Sequence, residues 1–265
     1  MIIDRFKIAT KTLLGKNIAG RNALIFQDDV MLTSYPKSGN TWTRFLVANL
    51  VSAIPVTFKN IEEIIPDIYL WDNVHLLSSK RPRIMKSHEY YNPRYRKVIC
   101  IVRDPRDVVV SYWFHKTKFN KIDKDTTLDD FVDKFISGEL DGFGSWGENV
   151  GSWLGARNND SSFLLVKYED LLSDSLQEMK RIANFIGSDC SEGLITKAIE
   201  NSSLDKMKSL EKHQADDWKV LNNSNKNIPF VRKGESGGWR EHLPDKAVER
   251  IETKWKSLMH ELGYL

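Results

Sequence analysis

A short loop near the start of the chain, 36–41, concentrates groups that bind anions. It contains one cation, one glycine and three short hydrogen-bonding side chains: Lys37, Gly39, Ser38, Asn40 and Thr41. The apolar run before the loop is typical of a strand, and the helical spacing of apolar residues after it predicts a helix. Backbone N–H groups and the helix dipole at such a junction favour an anion. The loop is therefore expected to hold a phosphate or sulfate group.

The position of its lysine separates this loop from that of nucleoside triphosphatases. Their phosphate-binding motif places the lysine directly after its second glycine and before Ser or Thr. Here Lys37 precedes Gly39, which is the single glycine of the loop. For the loop taken alone, an ordinary strand-to-helix turn with a solvated lysine remains the alternative interpretation.

Two later segments place further cations where such a ligand would lie. The apolar strand predicted over 97–103 ends in Arg103, and open α/β sheets bind ligands at the carboxyl ends of their strands. Pro105 is typical of a helix start, and Ser111 follows two turns later. Near the C-terminus, the segment Phe230-Val-Arg-Lys-Gly-Glu-Ser-Gly-Gly-Trp-Arg240 combines cations with glycines in a predicted loop.

In their order and separation, these segments resemble those of the cytosolic sulfotransferases, which move a sulfuryl group from 3′-phosphoadenosine 5′-phosphosulfate (PAPS) to an acceptor. The resemblance runs from about Met31 to the C-terminus. Tyr-Pro-Lys-Ser-Gly-Asn-Thr-Trp, which ends at Trp42, is similar to the family's 5′-phosphosulfate loop, Tyr-Pro-Lys-Ser-Gly-Thr-Thr-Trp. Arg103 and Ser111 match its 3′-phosphate pair, and Arg232-Lys233-Gly234 matches its Arg-Lys-Gly loop. The resemblance implies a PAPS-dependent sulfotransferase that uses no metal.

The resemblance also implies the catalytic residues. Ile84-Met-Lys-Ser-His88 matches the family's Lys-x-His segment, with His88 as general base for the acceptor and Lys86 stabilising developing charge. Lys37 is expected to face the oxygen between sulfur and the departing 5′-phosphate. These roles suit the chemistry, because a hydroxyl attacks sulfur poorly unless its proton is removed, and imidazole titrates near neutral pH. The remaining histidines, His115 among them, are expected at the surface or at helix ends.

Further positions are similar to the family's adenine site. Trp42 and Tyr168, the latter expected in a strand, match residues that pack on or near the base, and Ser202 matches a Ser/Thr position. Leu204 stands where the family usually has a stacking phenylalanine, which predicts a loss of ~0.5–1.5 kcal/mol of ring–ring interaction. Asn40 replaces the usual threonine of the loop and keeps a hydrogen-bond donor.

The acceptor is expected to be a small molecule with a hydroxyl or phenol group, with an amine as the alternative. Gly144-Ser-Trp146 matches a helix start that borders the family's acceptor pocket, and Asn149 falls where some phenol-type members carry a second histidine. The residues expected at this pocket are Tyr69, Phe143, Trp146 and Asn149. Packing in the core is the alternative for each aromatic residue, and the sequence does not identify the acceptor.

Two other functions remain open at the level of the sequence. A nucleoside or nucleotide kinase would share the fold class, but the displaced Lys37 and the lack of a clear strand-end aspartate for Mg²⁺ disfavour it. A nucleotide-binding protein without turnover is disfavoured by the presence of Lys37, Lys86 and His88.

The elements that must position these residues alternate along the chain. Strands are predicted near 30–35, 83–87, 97–103 and 163–168. Helices are predicted over 41–53, 106–117, 127–137, 145–157, 174–186, 191–200 and 244–261. This alternation predicts a parallel sheet with right-handed crossovers. The resemblance implies a single α/β domain, 1–265, with a doubly wound, P-loop-kinase-like sulfotransferase fold. Its nucleotide site is expected where the 30–35 and 97–103 strands end.

Composition adds little specificity. The 265 residues are 41% hydrophobic and 28% charged, and the net charge of +3 gives no case for nucleic-acid binding. The two cysteines provide neither a disulfide framework nor a zinc cluster and fit a reducing compartment. No run approaches the ~18 apolar residues of a membrane span. The segment 1–20 lacks the apolar core of a signal peptide, so a cytoplasmic protein is expected, with this segment at most a surface helix.

The oligomeric state depends on one short stretch. Many members of the family dimerise through a Lys-x-x-x-Thr-Val-x-x-x-Glu motif, to which 240–249 corresponds here. Pro244 and Asp245 stand in place of Thr-Val. This particular dimer is therefore expected not to form.

Overall fold

The computed structural model describes residues 22–123, 125–214, 218–221 and 224–265. In these ranges the strands form a parallel sheet of β1 (Val30–Ser34), β2 (Ile84–Ser87), β3 (Lys97–Val102) and β4 (Phe163–Lys167). The strand order is β2-β1-β3-β4. Val30 is in register with Ile84 of β2 and with Lys97 of β3. All the predicted strands are present.

Helices connect and flank the strands. They are α1 (Asn40–Val51), α2 (Ile61–Ile64), α3 (Asn73–Ser78), α4 (Pro105–Lys118), α5 (Leu128–Ser137), α6 (Trp146–Arg157), α7 (Tyr168–Ser173), α8 (Ser175–Ile186), α9 (Glu192–Asn201), α10 (Leu204–Gln214) and α11 (Asp245–Glu261). Short 3₁₀ turns lie at Lys219–Leu221 and Gly238–Glu241. Every predicted helix is present with ends displaced by at most two residues, whereas α2, α3, α7 and α10 were not predicted.

Side chains that alternate along the strands build two apolar cores. Met31 and Cys100 are buried on one face of the sheet with residues of α4, α5, α6 and α11. Leu32, Ile99 and Val166 are buried on the opposite face with residues of α1, α8 and α9. Because successive strand residues point to opposite faces, helices cover both sides of the sheet. The doubly wound α/β fold predicted from the sequence is confirmed.

The strand order creates a crevice at the carboxyl ends of β1 and β3. β1 and β3 are neighbours, although β2 lies between them in the sequence, so the chain leaves them towards opposite sides. Ligands of open α/β sheets bind at such a switch point, outside the carboxyl ends of the strands. The segments 35–39 after β1 and 103–104 after β3 flank this crevice, and they contain Lys37 and Arg103.

The expected N-terminal surface helix falls within residues 1–21, outside the part of the chain that the structure describes. Across the described ranges, no helix has both the length and the apolar character that crossing a bilayer requires.

Candidate active site

A cavity of about 600 Å³ lies at the carboxyl ends of β1 and β3. The nucleotide and catalytic motifs singled out in the sequence contribute to its lining: Lys37, Gly39, Asn40, Thr41, Trp42, Lys86, His88, Arg103, Ser111, Tyr168, Leu204, Arg232, Lys233 and Gly234. Segments far apart in the chain therefore meet at one place. Within the described residues, no group of three or more His, Cys, Asp or Glu side chains is arranged to hold a metal ion.

The loop after β1 has a backbone conformation that few residue types adopt. Lys37 has φ 68° and Gly39 has φ 95°, and both lie in the left-handed region. A Cβ added to Gly39 would lie 2.4 Å from a ring carbon of Tyr168. The glycine thus lets Tyr168 pack directly on the loop, where the ring also meets Trp42 edge-on at 5.6 Å. Tyr168 opens α7 rather than continuing β4, which corrects its predicted place in a strand.

Lys37 lies among other cations. Its Nζ is 3.4 Å from Nδ1 of His115 and 4.8 Å from the ring centre of Phe230. Burial lowers the pKa of Lys37 to about 7, and the charges of Arg103 and Arg232 act in the same direction. A bound anion would raise this pKa again, because opposite charge favours the protonated form. The amine is therefore suited to an anionic ligand.

His88 has a defined tautomer. Its Nδ1 lies 2.8 Å from the carbonyl oxygen of Ser34, and a carbonyl can only accept, so Nδ1 carries the proton. The other ring nitrogen, Nε2, then has a free lone pair. Burial, followed by the charge of Lys86, lowers the pKa of His88 to about 3, so the imidazole is neutral at neutral pH. Tyr69 stacks on the ring at 6.1 Å and Phe143 meets it edge-on at 5.5 Å.

Lys86 is paired with a carboxylate. Its Nζ lies 2.5 Å from Oδ2 of Asp67 and 5.5 Å from the ring centre of Tyr69. Asp67 was not identified from the sequence. Lys37, by contrast, has no carboxylate partner among the described residues, so its charge is less compensated than that of Lys86.

Two arginines line the cavity, and their charges influence each other. The guanidinium of Arg103 lies 4.3 Å from the ring centre of Tyr168 and donates from Nη2 to the carbonyl of Glu235 at 2.8 Å. Its Nε is buried and has no hydrogen-bond partner among the described residues. Arg232 packs over Phe114 at 4.1 Å, and burial together with nearby Arg103 lowers its pKa. Two guanidinium groups lining one cavity favour an anion here.

The C-terminal loop is tied to the start of α4. Asp107 accepts hydrogen bonds from the backbone N–H groups of Gly237, at 2.7 Å, and of Trp239, at 3.0 Å. Gly234 has φ 63°, and a Cβ there would lie 3.1 Å from Leu204. Lys233 pairs with acidic groups at the rim of the cavity, Glu235 at 3.1 Å and Glu241 at 2.6 Å.

Two residues expected at the acceptor pocket, Trp146 and Asn149, are buried and are absent from the described cavity lining. The first turn of α6 faces inward, so the ring of Trp146 packs 5.2 Å from that of Trp255 on α11. Asn149 donates from Nδ2 to the backbone carbonyl of His88 at 3.0 Å. These two residues are therefore buried beneath the cavity wall and do not line the cavity. Tyr69 and Phe143 line it as expected.

Three polar residues expected to contact the nucleotide have inward-facing side chains. Asn40 donates to Oγ of Ser34 at 3.1 Å, so its amide ties the loop to β1. Ser202 is buried: its Oγ accepts a hydrogen bond from Nδ2 of Asn49 at 3.1 Å, and its carbonyl accepts one from Nε1 of Trp42 at 3.0 Å. Ser38 is also buried, with an Oγ that has no partner among the described residues. Asn40 and Ser202 thus hold other site elements in place.

His115 was expected at the surface or at a helix end, and it does lie in the last turn of α4, but its role in the cavity was not predicted. It lines the cavity from the last turn of α4, in contact with Lys37. Burial and the charge of Lys37 lower the pKa of His115. A signal was available: Asp107, Ser111 and His115 are four residues apart, a spacing that places them on one face of a helix. All three line the cavity.

A sequence profile described as "Sulfotransferase domain" matches residues 27–263. The chain belongs to the sulfotransferase family. This confirms the family and the enzyme class, PAPS-dependent sulfotransferase, that the motifs predict.

Individual sulfotransferases are similar along most of their length. Sulfotransferase 2B1 of Mus musculus is 27% identical over 258 residues, which cover 92% of this chain and 75% of the relative. Sulfotransferase 1E1 of Rattus norvegicus is 28% identical over 258 residues, covering 88% of this chain and 84% of the relative. Retinol dehydratase, solved in a complex with retinol and PAP, has a TM-score of 0.73 at 23% identity and covers 94% of this chain and 86% of its own. This structural likeness confirms the sulfotransferase fold.

Proposed function

We propose that this sulfotransferase transfers the sulfuryl group of PAPS to the hydroxyl group of a small acceptor and releases adenosine 3′,5′-bisphosphate. The observation that carries the proposal is the meeting, in one cavity, of a loop cation, two arginines and a neutral imidazole with a free lone pair. Sulfuryl transfer, like phosphoryl transfer, depends on positioning and on stabilising charge.

The donor would occupy the side of the cavity nearest the loop after β1. Lys37, Thr41 and the N–H groups at the start of α1 would hold its 5′ end. Arg103, Ser111 and Arg232 would hold its 3′-phosphate, and Trp42, Tyr168 and Leu204 would surround adenine. The fit is supported by the three cationic side chains that line this one cavity, Lys37, Arg103 and Arg232.

The acceptor would lie beside His88. The lone pair on Nε2 would take the hydroxyl proton, and Lys37 would stabilise the charge that develops on the leaving oxygen. Lys86 would contribute less to that charge, because Asp67 compensates it. Tyr69 and Phe143 flank the imidazole and suit an apolar, flat acceptor such as a phenol. A cytoplasmic location, expected from the sequence, stays a prediction.

The proposal is tested by comparing PAPS with adenosine 5′-phosphosulfate, which lacks the 3′-phosphate. Charge-assisted hydrogen bonds contribute about 1.5–3 kcal/mol each, so we expect PAPS to be preferred by roughly 10²–10⁴ in kcat/KM. Arg103→Ala should remove most of this preference. Arg250→Ala is the matched control, since Arg250 pairs with Asp129 on the surface, at 2.6 Å. Equal use of both donors by the unaltered protein would refute the 3′-phosphate site.

A screen with labelled PAPS against phenols, aliphatic alcohols, amines and lipid hydroxyls should identify the acceptor class. We expect product with a hydroxyl class. Binding of PAPS without product on any class would instead indicate a nucleotide-binding protein without turnover.

A further inference from the structure

His115 lines the cavity beside Lys37. It is on the last turns of α4, and its ring is held among aromatic neighbours, with ring centres at 4.6 Å for Phe119 and 6.2 Å for both Phe230 and Tyr112. Its Nδ1 lies 3.4 Å from Nζ of Lys37. The packing fixes the ring, so the nitrogen that faces Lys37 is determined by the fold.

The contact has a definite chemical direction. A protonated Lys37 has donors and no acceptor, so a hydrogen bond from it requires the lone pair on Nδ1 of His115 and the ring proton on Nε2. Burial and the charges of Lys37, Lys116 and Lys121 keep the imidazole neutral by lowering its pKa. A neutral imidazole in this tautomer can accept a hydrogen bond from Lys37 at all pH values near neutrality.

Lys37 needs such an acceptor. The charges that act most strongly on it are positive: Arg103 after β3, Arg232 in the C-terminal loop and Lys86 on β2. Carboxylates of the same cavity, Asp107 beside Arg103 and Asp67 beside Lys86, compensate two of these cations in part. These charges and burial disfavour its proton, whereas the lone pair of His115 and the ring face of Phe230 favour it. Among the described residues, His115 is the hydrogen-bond acceptor within reach of the Lys37 amine.

We propose that His115 is a positioning residue for sulfuryl transfer: its neutral imidazole accepts a hydrogen bond from Lys37 and thereby keeps that side chain protonated and oriented in the cavity. This inference rests on the proposed function, in which the protonated Lys37 stabilises the leaving oxygen.

The hydrogen bond is tested first in the nucleotide-free protein. Nitrogen-15 NMR of the imidazole should show His115 with its proton on Nε2 and an unprotonated Nδ1. The pH dependence of competitive acylation of Lys37, read by mass spectrometry, should have its midpoint lowered by about one pH unit in His115→Phe, because a hydrogen bond to a charged group is lost. His115→Asn, whose carboxamide oxygen can accept the same bond, should restore the midpoint.

The matched control is His213→Phe. His213 is an exposed histidine on α10, and its Nδ1 lies 2.7 Å from the carbonyl of Ser209. It should leave the midpoint of Lys37 unchanged. A proton on Nδ1 of His115 in the unaltered protein, or a Lys37 midpoint that His115→Phe does not move, would overturn the proposal. The tautomer of His115 is measured in the unaltered protein, so misfolding of a variant does not prevent this test.

Turnover provides a second readout. The value of kcat/KM for PAPS reports ionisations of the free enzyme, and it should fall as pH rises through the pKa of Lys37. In His115→Phe this fall should begin about one pH unit lower, which gives roughly tenfold less activity at pH 8 and little loss at pH 6. A loss independent of pH would mean that His115 acts through packing alone. If the unaltered protein turns over no PAPS, the proposed function fails, yet the tautomer and the Lys37 titration still decide the contact.

Discussion

At His88, one hydrogen bond has two effects. Donation from Nδ1 to the carbonyl of Ser34 fixes the ring, and it also leaves the lone pair on Nε2 free. A pKa of about 3 in the free protein means that the base needs no activation at neutral pH. It also makes the base weak, so the cavity must raise its basicity when an anionic donor binds beside it.

The first residue-scale prediction compares two replacements of His88. His88→Ala and His88→Asn both remove the base, so each should lower turnover by roughly 10²–10⁴. Asn keeps an N–H group that can donate to Ser34, so it should preserve stability better than Ala. The affinity for PAP, measured by calorimetry, should barely change, because His88 faces the acceptor. Full turnover in the Asn variant, or an equal loss of PAP affinity, would assign His88 a structural role.

At this scale, the sequence correctly predicted site residues that belong to a motif and lie at the end of a strand. Lys37, His88 and Arg103 are of this kind, and the cavity contains all of them. Asp67 escaped prediction because it acquires its role from Lys86, a partner on another element, and local sequence does not specify such a pairing. For His115, the spacing from Ser111 indicated the helix face, but its contact with Lys37 also depends on another element.

At the scale of elements, the loop between β1 and α1 combines backbone strain with close packing. Lys37 and Gly39 both have positive φ, and the ring of Tyr168 fills the space that a side chain at Gly39 would need. A non-glycine residue in this conformation, here Lys37, typically costs ~1–3 kcal/mol, which the surrounding structure must offset, whereas glycine adopts it freely. The position of Tyr168 on α7 therefore depends on the glycine.

We predict that Gly39→Ala lowers the free energy of unfolding by roughly 1–3 kcal/mol, because the left-handed φ is retained and Tyr168 must move. PAP affinity should fall as well, since Trp42 packs on the same ring. Gly155→Ala is the control: it lies within α6 with open space around it, and it should stabilise by about 0.5–1 kcal/mol. Urea unfolding measures both variants. Unaltered stability in Gly39→Ala would contradict the strain.

Elements long enough to repeat the apolar pattern several times were predictable from the sequence, and shorter elements were not. Amphipathic helices such as α8 show the period clearly, whereas α2 and α3 are too short to repeat it. Tyr168 continues an apolar run, so the sequence alone favoured a strand where α7 begins. Trp146 and Asn149 were assigned to the pocket from their match to family positions, and the sequence did not show that the first turn of α6 is buried.

For the whole molecule, the distribution of positive charge predicts turnover without a metal ion. Lys37, Arg103 and Arg232 meet at the site, and they supply charge that kinases obtain partly from Mg²⁺. Sulfate transfer from PAPS should therefore be unchanged in excess EDTA. The control is a Mg²⁺-dependent kinase assayed in the same buffer. Complete loss in EDTA with recovery on adding Mg²⁺ would favour a kinase-like mechanism.

The second prediction for the whole molecule concerns assembly. The stretch 240–249 forms the end of a 3₁₀ turn and the first turns of α11, with Pro244 as N-cap of that helix. Since Pro244 and Asp245 replace the Thr-Val of the family's dimer motif, sedimentation velocity should show no dimer formed through this stretch. A dimer that dissociates on Pro244→Ala or Asp245→Ala would show the prediction wrong.

The four-residue spacing of Asp107, Ser111 and His115 along α4 fixes the distances between these side chains. With a rise of 1.5 Å per residue, these positions lie about 6 Å apart along the helix. One end holds the C-terminal loop and the other contacts Lys37. Inserting one residue between Ser111 and His115 would turn the imidazole about 100° around the axis, although every side chain would be retained. At this helix, chain length is therefore constrained as strictly as residue type, and natural variation should consist of substitutions rather than insertions or deletions.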